Sequence, residues 1–69
     1  MMKIDARGLA CPEPVVRTQK AIQSNPEGVA VMVDNMASVE NISRFAKARK
    51  YAVEVTEEGG DYTLTLKKA

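Results

Sequence analysis

Two prolines, at positions 12 and 14, constrain the fold of this chain more than any other feature. Inside a helix each would remove a hydrogen bond and clash with the preceding turn, but both are tolerated in a first turn, where amide groups lack helical partners. We therefore predict a helix over residues 12–24, with Cys11 at its N-cap position or one residue earlier. Asn25-Pro26-Glu27-Gly28 is expected to end the helix, whose predicted apolar side consists of Val15, Val16 and Ile22.

The remaining elements follow from hydrophobic spacing. Residues 2–6 and the dense apolar run at 29–33 each predict a strand. A second helix is predicted to begin after Ser38, which is a good N-cap residue. Its apolar residues recur every three or four positions: Val39, Ile42, Phe45 and Ala46. Residues 51–56 and 62–67 alternate with period two and flank the turn sequence Glu58-Gly59-Gly60-Asp61, which predicts a hairpin.

The predicted order is β-α-β-α-β-β, which favours an α/β two-layer sandwich in one domain over residues 1–69. Two helices would cover one face of a four-stranded mixed sheet. A chain of 69 residues buries only about 60% of its unfolded surface. The core is therefore thin, with little room for a large pocket and a complete catalytic machinery.

Composition excludes several classes of function. One cysteine cannot form an internal disulfide, and the absence of histidine excludes a Cys-His catalytic pair and a zinc site built from Cys and His. The net charge of +1 gives no general attraction to nucleic acid. No apolar run reaches the roughly 18 residues of a membrane span, and the first residues lack the pattern of a secretory signal. We predict a cytoplasmic protein without metal or cofactor, and without direct contacts to nucleic acid or membrane.

Cys11 is the candidate reactive group. A helix N-terminus favours a thiolate over a thiol. The prolines remove two amide donors from the first turn and leave the amide of Glu13. The negative carboxylate of Glu13 opposes stabilisation of a thiolate. Arg7 and Arg17 could add stabilising positive charge. A stiff, exposed thiol without a base suits exchange of sulfane sulfur through a persulfide. The alternative is that Cys11 is a small buried apolar residue.

Residues 5–14, Asp5-Ala6-Arg7-Gly8-Leu9-Ala10-Cys11-Pro12-Glu13-Pro14, resemble the D-x-x-G-x-x-C-P-x-P signature of the TusA/SirA/YedF family. The resemblance continues through residues 33–42 and 44–46, where it is closer to the N-terminal domain of YedF-type proteins, and it covers essentially the whole chain.

The resemblance implies a fold like the C-terminal domain of translation initiation factor 3 and a persulfide on Cys11. The implied partners are a protein sulfur donor such as a cysteine desulfurase and a protein sulfur acceptor. In TusA the sulfur goes towards thiolation of tRNA, whereas YedF-type proteins are linked to selenium and often carry a further C-terminal domain. The implied activity is that of a sulfurtransferase-like carrier without a complete catalytic machinery.

Other residues have two interpretations each. Asp5 either braces the loop before Cys11 or is a solvated strand end, and Gly8 serves backbone geometry more than ligand contact. A basic set could dock an acidic partner or form a solvated helix face: Arg44, Lys47, Arg49 and Lys50. Three polar residues, Asp34, Asn35 and Asn41, lie around a strand end and a helix start, where sites in α/β folds often form. They are interpreted mainly as turn and capping groups.

Two further functions stay open from the sequence. The chain could be a non-enzymatic interaction or regulatory module in which Cys11 is incidental. It could also deliver selenium through the same thiol.

Overall fold

A computed structural model describes residues 2–69 of the chain. It contains the predicted order of elements. Their bounds are β1 (Met2–Asp5), α1 (Glu13–Ser24), β2 (Gly28–Val33), α2 (Met36–Ala48), β3 (Tyr51–Glu58) and β4 (Asp61–Lys68). The fold class predicted from the sequence is confirmed.

The four strands form one mixed sheet in the order β1-β2-β4-β3. β1 runs parallel to β2, with Ile4 opposite Val31, whereas β2 pairs with β4 and β4 with β3 in antiparallel fashion. Since β1 and β2 are parallel, their carboxyl ends lie at the same end of the sheet. The starts of α1 and α2 therefore lie beyond these strand ends, where sites in α/β folds commonly form.

The core lies between one face of the sheet and the two helices. The alternating residues of β2 and β4 point into it without solvent exposure, as do Ile42 and Ala46 of α2. The fully buried strand residues are Val29, Val31, Val33, Leu64 and Leu66. The apolar stripe predicted for α2 is thus confirmed. On β3, Val55 pairs with Leu64 but is 43% exposed, because β3 lies at the edge of the sheet.

The buried side of α1 differs from the prediction. Pro14, Thr18 and Ile22 are buried, whereas Val15 and Val16 are only half-buried. A buried threonine is possible here because its hydroxyl donates to the Pro14 carbonyl oxygen at 2.8 Å. That bond satisfies the polar atom within the helix and leaves the methyl group to pack.

The start of α2 was also predicted wrongly. Asn35, not Ser38, is the N-cap residue, and its side-chain oxygen accepts a hydrogen bond from the Ser38 amide at 2.8 Å. Asparagine is at least as good an N-cap as serine. Because it comes three residues earlier, the helix starts at Met36 and Ser38 becomes a buried helical residue.

Candidate functional site

Cys11 is exposed and lies just before the first helix. Pro12 is the N-cap residue of α1 and Glu13 its first helical residue, so Cys11 occupies the position before the N-cap. This is one of the two positions predicted from the prolines. The Cys11–Pro12 peptide bond is cis. Because Cys11 precedes the N-cap and is exposed, its sulfur atom lies outside the helix and open to solvent.

The amide of Glu13 does not face the sulfur, contrary to expectation. It donates to the carbonyl oxygen of Ala10 at 2.9 Å, and Pro14 at the second helical position has no N–H to offer. The Glu13 amide, which was the direct donor expected from the first turn, is therefore already engaged.

Asp5 and Arg7 brace the loop that carries Cys11. The Asp5 carboxylate accepts hydrogen bonds from the Arg7 amide at 3.1 Å and from its side chain at 2.9 Å. Arg7 also forms an ion pair with Asp61 of β4 at 2.9 Å. The hydrogen bonds from Arg7 lower the pKa of Asp5 to about 2, and those to Asp5 and then Asp61 raise the pKa of Arg7. The loop is thus connected to the β3–β4 hairpin.

Gly8 and Asp34 form a second connection. Gly8 has a φ of 77°, in the left-handed region, and a Cβ there would meet no atom within 4 Å. The glycine is therefore required by the backbone and not by a neighbour. Its amide donates to the Asp34 carboxylate at 2.9 Å, and the Asn35 side chain donates to the same carboxylate at 3.0 Å. Asp34 thus joins the loop to the end of β2.

Asn41 contacts the sulfur directly. Its side-chain nitrogen lies 3.6 Å from Cys11 Sγ and donates a hydrogen bond to it. From the sequence, a turn or capping role was favoured for this residue over a role in a site, and the contact with the sulfur was not predicted. The available signal was the parallel arrangement of β1 and β2, which brings the starts of α1 and α2 to one end of the sheet.

The two arginines expected near the sulfur are held by carboxylates. Arg7 is engaged by Asp5 and Asp61, and Arg17 lies 3.6 Å from Glu13 on the exposed side of α1. Within residues 2–69, neither guanidinium group makes a hydrogen bond to Sγ. A long-range contribution of Arg7 or Arg17 to the thiolate stays a prediction.

The four basic residues predicted as a docking set lie in the second half of α2 and in the turn that follows it. Arg44 and Lys47 line a shallow groove of about 480 Å³ along α2, together with Val39, Glu40 and Ser43. After the helix, Arg49 stacks over the Phe45 ring at 4.9 Å, and Lys50 takes up a left-handed turn with φ 64°. A docking role for the four residues stays a prediction.

The connection through Asp34 is expected to depend on pH. Hydrogen bonds from Asn35 and then from the Gly8 amide lower the pKa of Asp34. A lowered pKa in the folded state stabilises the fold above about pH 4, the ordinary value for aspartate, and this contribution is lost as pH falls through the folded pKa.

Asp34→Asn keeps an acceptor for Gly8 but removes the charge. We expect the variant to be less stable than wild type at pH 7 and the difference to shrink below pH 4, in urea unfolding measured across pH. A difference that stays constant down to pH 2 would contradict the role given to the charge.

No helix among residues 2–69 is long and apolar enough to cross a membrane.

The chain is similar to proteins of one known family. The profile of the family described as Sulfurtransferase TusA matches residues 2–68. A candidate sulfur carrier protein of Methanocaldococcus jannaschii is 42% identical over 60 residues, which cover 84% of this chain and 80% of that protein. The sulfur carrier protein TusA of Allochromatium vinosum is 33% identical over 70 residues, which cover 97% of this chain and 92% of that protein.

A solved structure also matches. The crystal structure of a SirA-like protein from Desulfitobacterium hafniense superimposes with a TM-score of 0.89 at 35% identity, and the match covers 97% of this chain and 96% of that one. These matches concern the family as a whole, and the closer similarity to YedF-type proteins stays a prediction. With a family profile that matches residues 2–68 and relatives similar over most of their length, the chain belongs to the TusA family.

Proposed function

We propose that the protein is a sulfur carrier that accepts sulfane sulfur as a persulfide on Cys11 and passes it to an acceptor protein. The observation that carries the proposal is the exposed sulfur of Cys11 in front of α1, in a member of the TusA family. The chain has no histidine to act as a base. Exchange of sulfane sulfur needs a thiolate and access, and neither requires a general base on the carrier.

The proposed partners are a protein donor, such as a cysteine desulfurase, and a protein acceptor. Cytoplasm is the proposed compartment, because an unpaired, exposed thiol persists under reducing conditions. The acceptor pathway is either tRNA thiolation, as in TusA, or selenium metabolism, as in YedF-type proteins. Competition between a sulfur donor and a selenium donor for Cys11 would separate these two.

Loading is tested with a cysteine desulfurase, L-cysteine and an alkylating reagent, followed by intact mass measurement. The expected product carries one extra sulfur atom beneath the alkyl group, and treatment with a reductant removes both. If no plausible donor adds sulfur to Cys11, yet partner proteins are captured equally by wild type and Cys11→Ser, the protein is an interaction module instead.

Charge supports docking of an acidic partner on the helical layer. The two helices and the turn after α2 carry six basic side chains against two acidic ones, Glu13 and Glu40. The basic side chains are Arg17, Lys20, Arg44, Lys47, Arg49 and Lys50. Since the whole chain has a net charge of only +1, the rest of the molecule is acidic. A partner with an acidic rim would therefore be oriented towards the helices.

If an acidic partner docks through α2, reversal of the basic charges on this helix should lower the rate of sulfur transfer. Arg44→Glu with Lys47→Glu should slow loading by about tenfold at low salt, since steering by charge raises association rates by 10-fold or more. The effect should fade near 1 M salt, where screening is nearly complete. Lys67→Glu with Lys68→Glu makes the same change of charge on β4 and is the control. An equal loss in the control would contradict docking through α2.

A further inference from the structure

We infer that Asn41 is a positioning residue of sulfur transfer, whose side-chain N–H holds Cys11 Sγ and stabilises it as a thiolate. The inference rests on the proposed function for its role in transfer. The contact with the sulfur stands independently of that function, since it joins two residues 30 positions apart in the chain, at 3.6 Å.

Asn41 lies on a fixed part of α2. The next residue, Ile42, is fully buried in the core, and one turn earlier Ser38 is buried and held by the Asn35 cap. The sulfur, in contrast, lies on a loop. A donor on the helix can therefore fix the position of a sulfur that the loop alone would leave less defined.

The charged groups around the loop are already engaged by partners other than the sulfur. Arg7 is held by Asp5 and Asp61, Arg17 by Glu13, and Asp34 accepts from Gly8 and Asn35. Over residues 2–69, Asn41 is the side chain that makes a hydrogen bond to Sγ. An amide N–H is a pure donor, and donation to an ionised acceptor is stronger than to a neutral one. The contact therefore favours the thiolate over the thiol.

The chemistry uses such a donor twice. In loading, the Cys11 thiolate attacks the outer sulfur of the donor persulfide, so that a new S–S bond forms while the donor's S–S bond breaks. The donor leaves as a thiolate, and the hydrogen stays on the transferred sulfur. In delivery, an acceptor thiolate attacks that outer sulfur and Cys11 leaves as the thiolate. No net oxidation or reduction occurs in either step, and Asn41 stabilises the anionic Cys11 sulfur before loading and after delivery.

Asn41→Leu tests the inference, because leucine has a similar shape and no donor. The readout is the rate of alkylation of Cys11 by iodoacetamide across pH. A donor to the sulfur favours the thiolate but also makes it a weaker nucleophile. We therefore expect the variant to react a few-fold more slowly than wild type at pH 7 and a few-fold faster at high pH, where only the difference in nucleophilicity remains.

This crossing of the two pH profiles separates a donor to sulfur from a merely structural residue. Gln23→Leu makes the same kind of change on the exposed side of α1, and its pH profile of alkylation should equal that of wild type. Asn41→Asp, which places a carboxylate beside the sulfur, should be slower at pH 7 than Asn41→Leu. If the leucine variant fails to fold by circular dichroism, Asn41→Ala gives the same comparison.

Equal profiles for wild type and the folded Asn41 variant would overturn the inference. Alkylation requires no sulfur donor, so this result is independent of whether Cys11 can be loaded. In the same variants, slower loading from a desulfurase at pH 7 supports the role in transfer, and unchanged loading despite crossed alkylation profiles overturns it.

Discussion

The Cys11→Ser variant is expected to accept no sulfur from a donor persulfide while folding as the wild type does. Serine has almost the same shape, but its hydroxyl does not exchange sulfane sulfur. Cys11 is exposed and lies outside the buried core. Exposed substitutions usually change stability by no more than about 0.5 kcal/mol.

Two measurements on the same sample check this prediction. Intact mass after incubation with desulfurase and L-cysteine should show no added sulfur in the variant. The melting temperature should stay within about 4 °C of wild type, since about 1 kcal/mol shifts a domain of this size by 4–8 °C. A variant that melts far lower would mean that Cys11 is part of the core, and a variant that still gains sulfur would place the acceptor atom elsewhere.

Leu64→Ala is expected to have the largest effect on stability. Leu64 is fully buried at the centre of β4, where it pairs with Val31 of β2 and Val55 of β3. Truncation of such a leucine costs about 2–5 kcal/mol, because buried surface is lost and a cavity remains. Domains of this size have a total stability of roughly 3–10 kcal/mol. The variant should therefore be largely unfolded at a urea concentration that leaves the wild type folded.

Val55→Ala is the matched control, because the two residues are partners across the hairpin on the same face of the sheet. Val55 is 43% exposed and loses less apolar contact on truncation, so we expect a change of less than about 1 kcal/mol. Equal losses in the two variants, measured by urea unfolding, would mean that the core does not lie beneath the helices.

The fold was predictable because its signals are local. Prolines at 12 and 14 are compatible with a helix only in its first turn, so they located the start of α1 and the sulfur before it. Alternation in the last two strands and the glycines between them likewise determined the hairpin.

The errors concern choices between two local partners. Asn35 and Ser38 can both cap a helix, and in the structure Asn35 caps α2 while Ser38 is buried within it. Thr18 was not among the residues predicted for the apolar side of α1, although a bond to the Pro14 carbonyl satisfies its hydroxyl inside the helix. Sequence gives the capacity of a side chain to bond, but packing decides which bond forms.

The site was only partly predictable. Cys11 was identified from its neighbours in the chain, and the pairing of Arg7 with Asp5 is similarly local. The contact of Asn41 with the sulfur depends on how α1 and α2 lie relative to each other on the sheet. The connection of Arg7 to Asp61 spans an even longer stretch of chain. Neither has a signal in sequence spacing.

The most direct test of the account uses the folded wild-type chain, a cysteine desulfurase and L-cysteine labelled with heavy sulfur. The account predicts one labelled sulfur per chain, located on the peptide that contains Cys11 and released by a reductant. A chain that gains no label, although iodoacetamide alkylates its thiol readily, would contradict it.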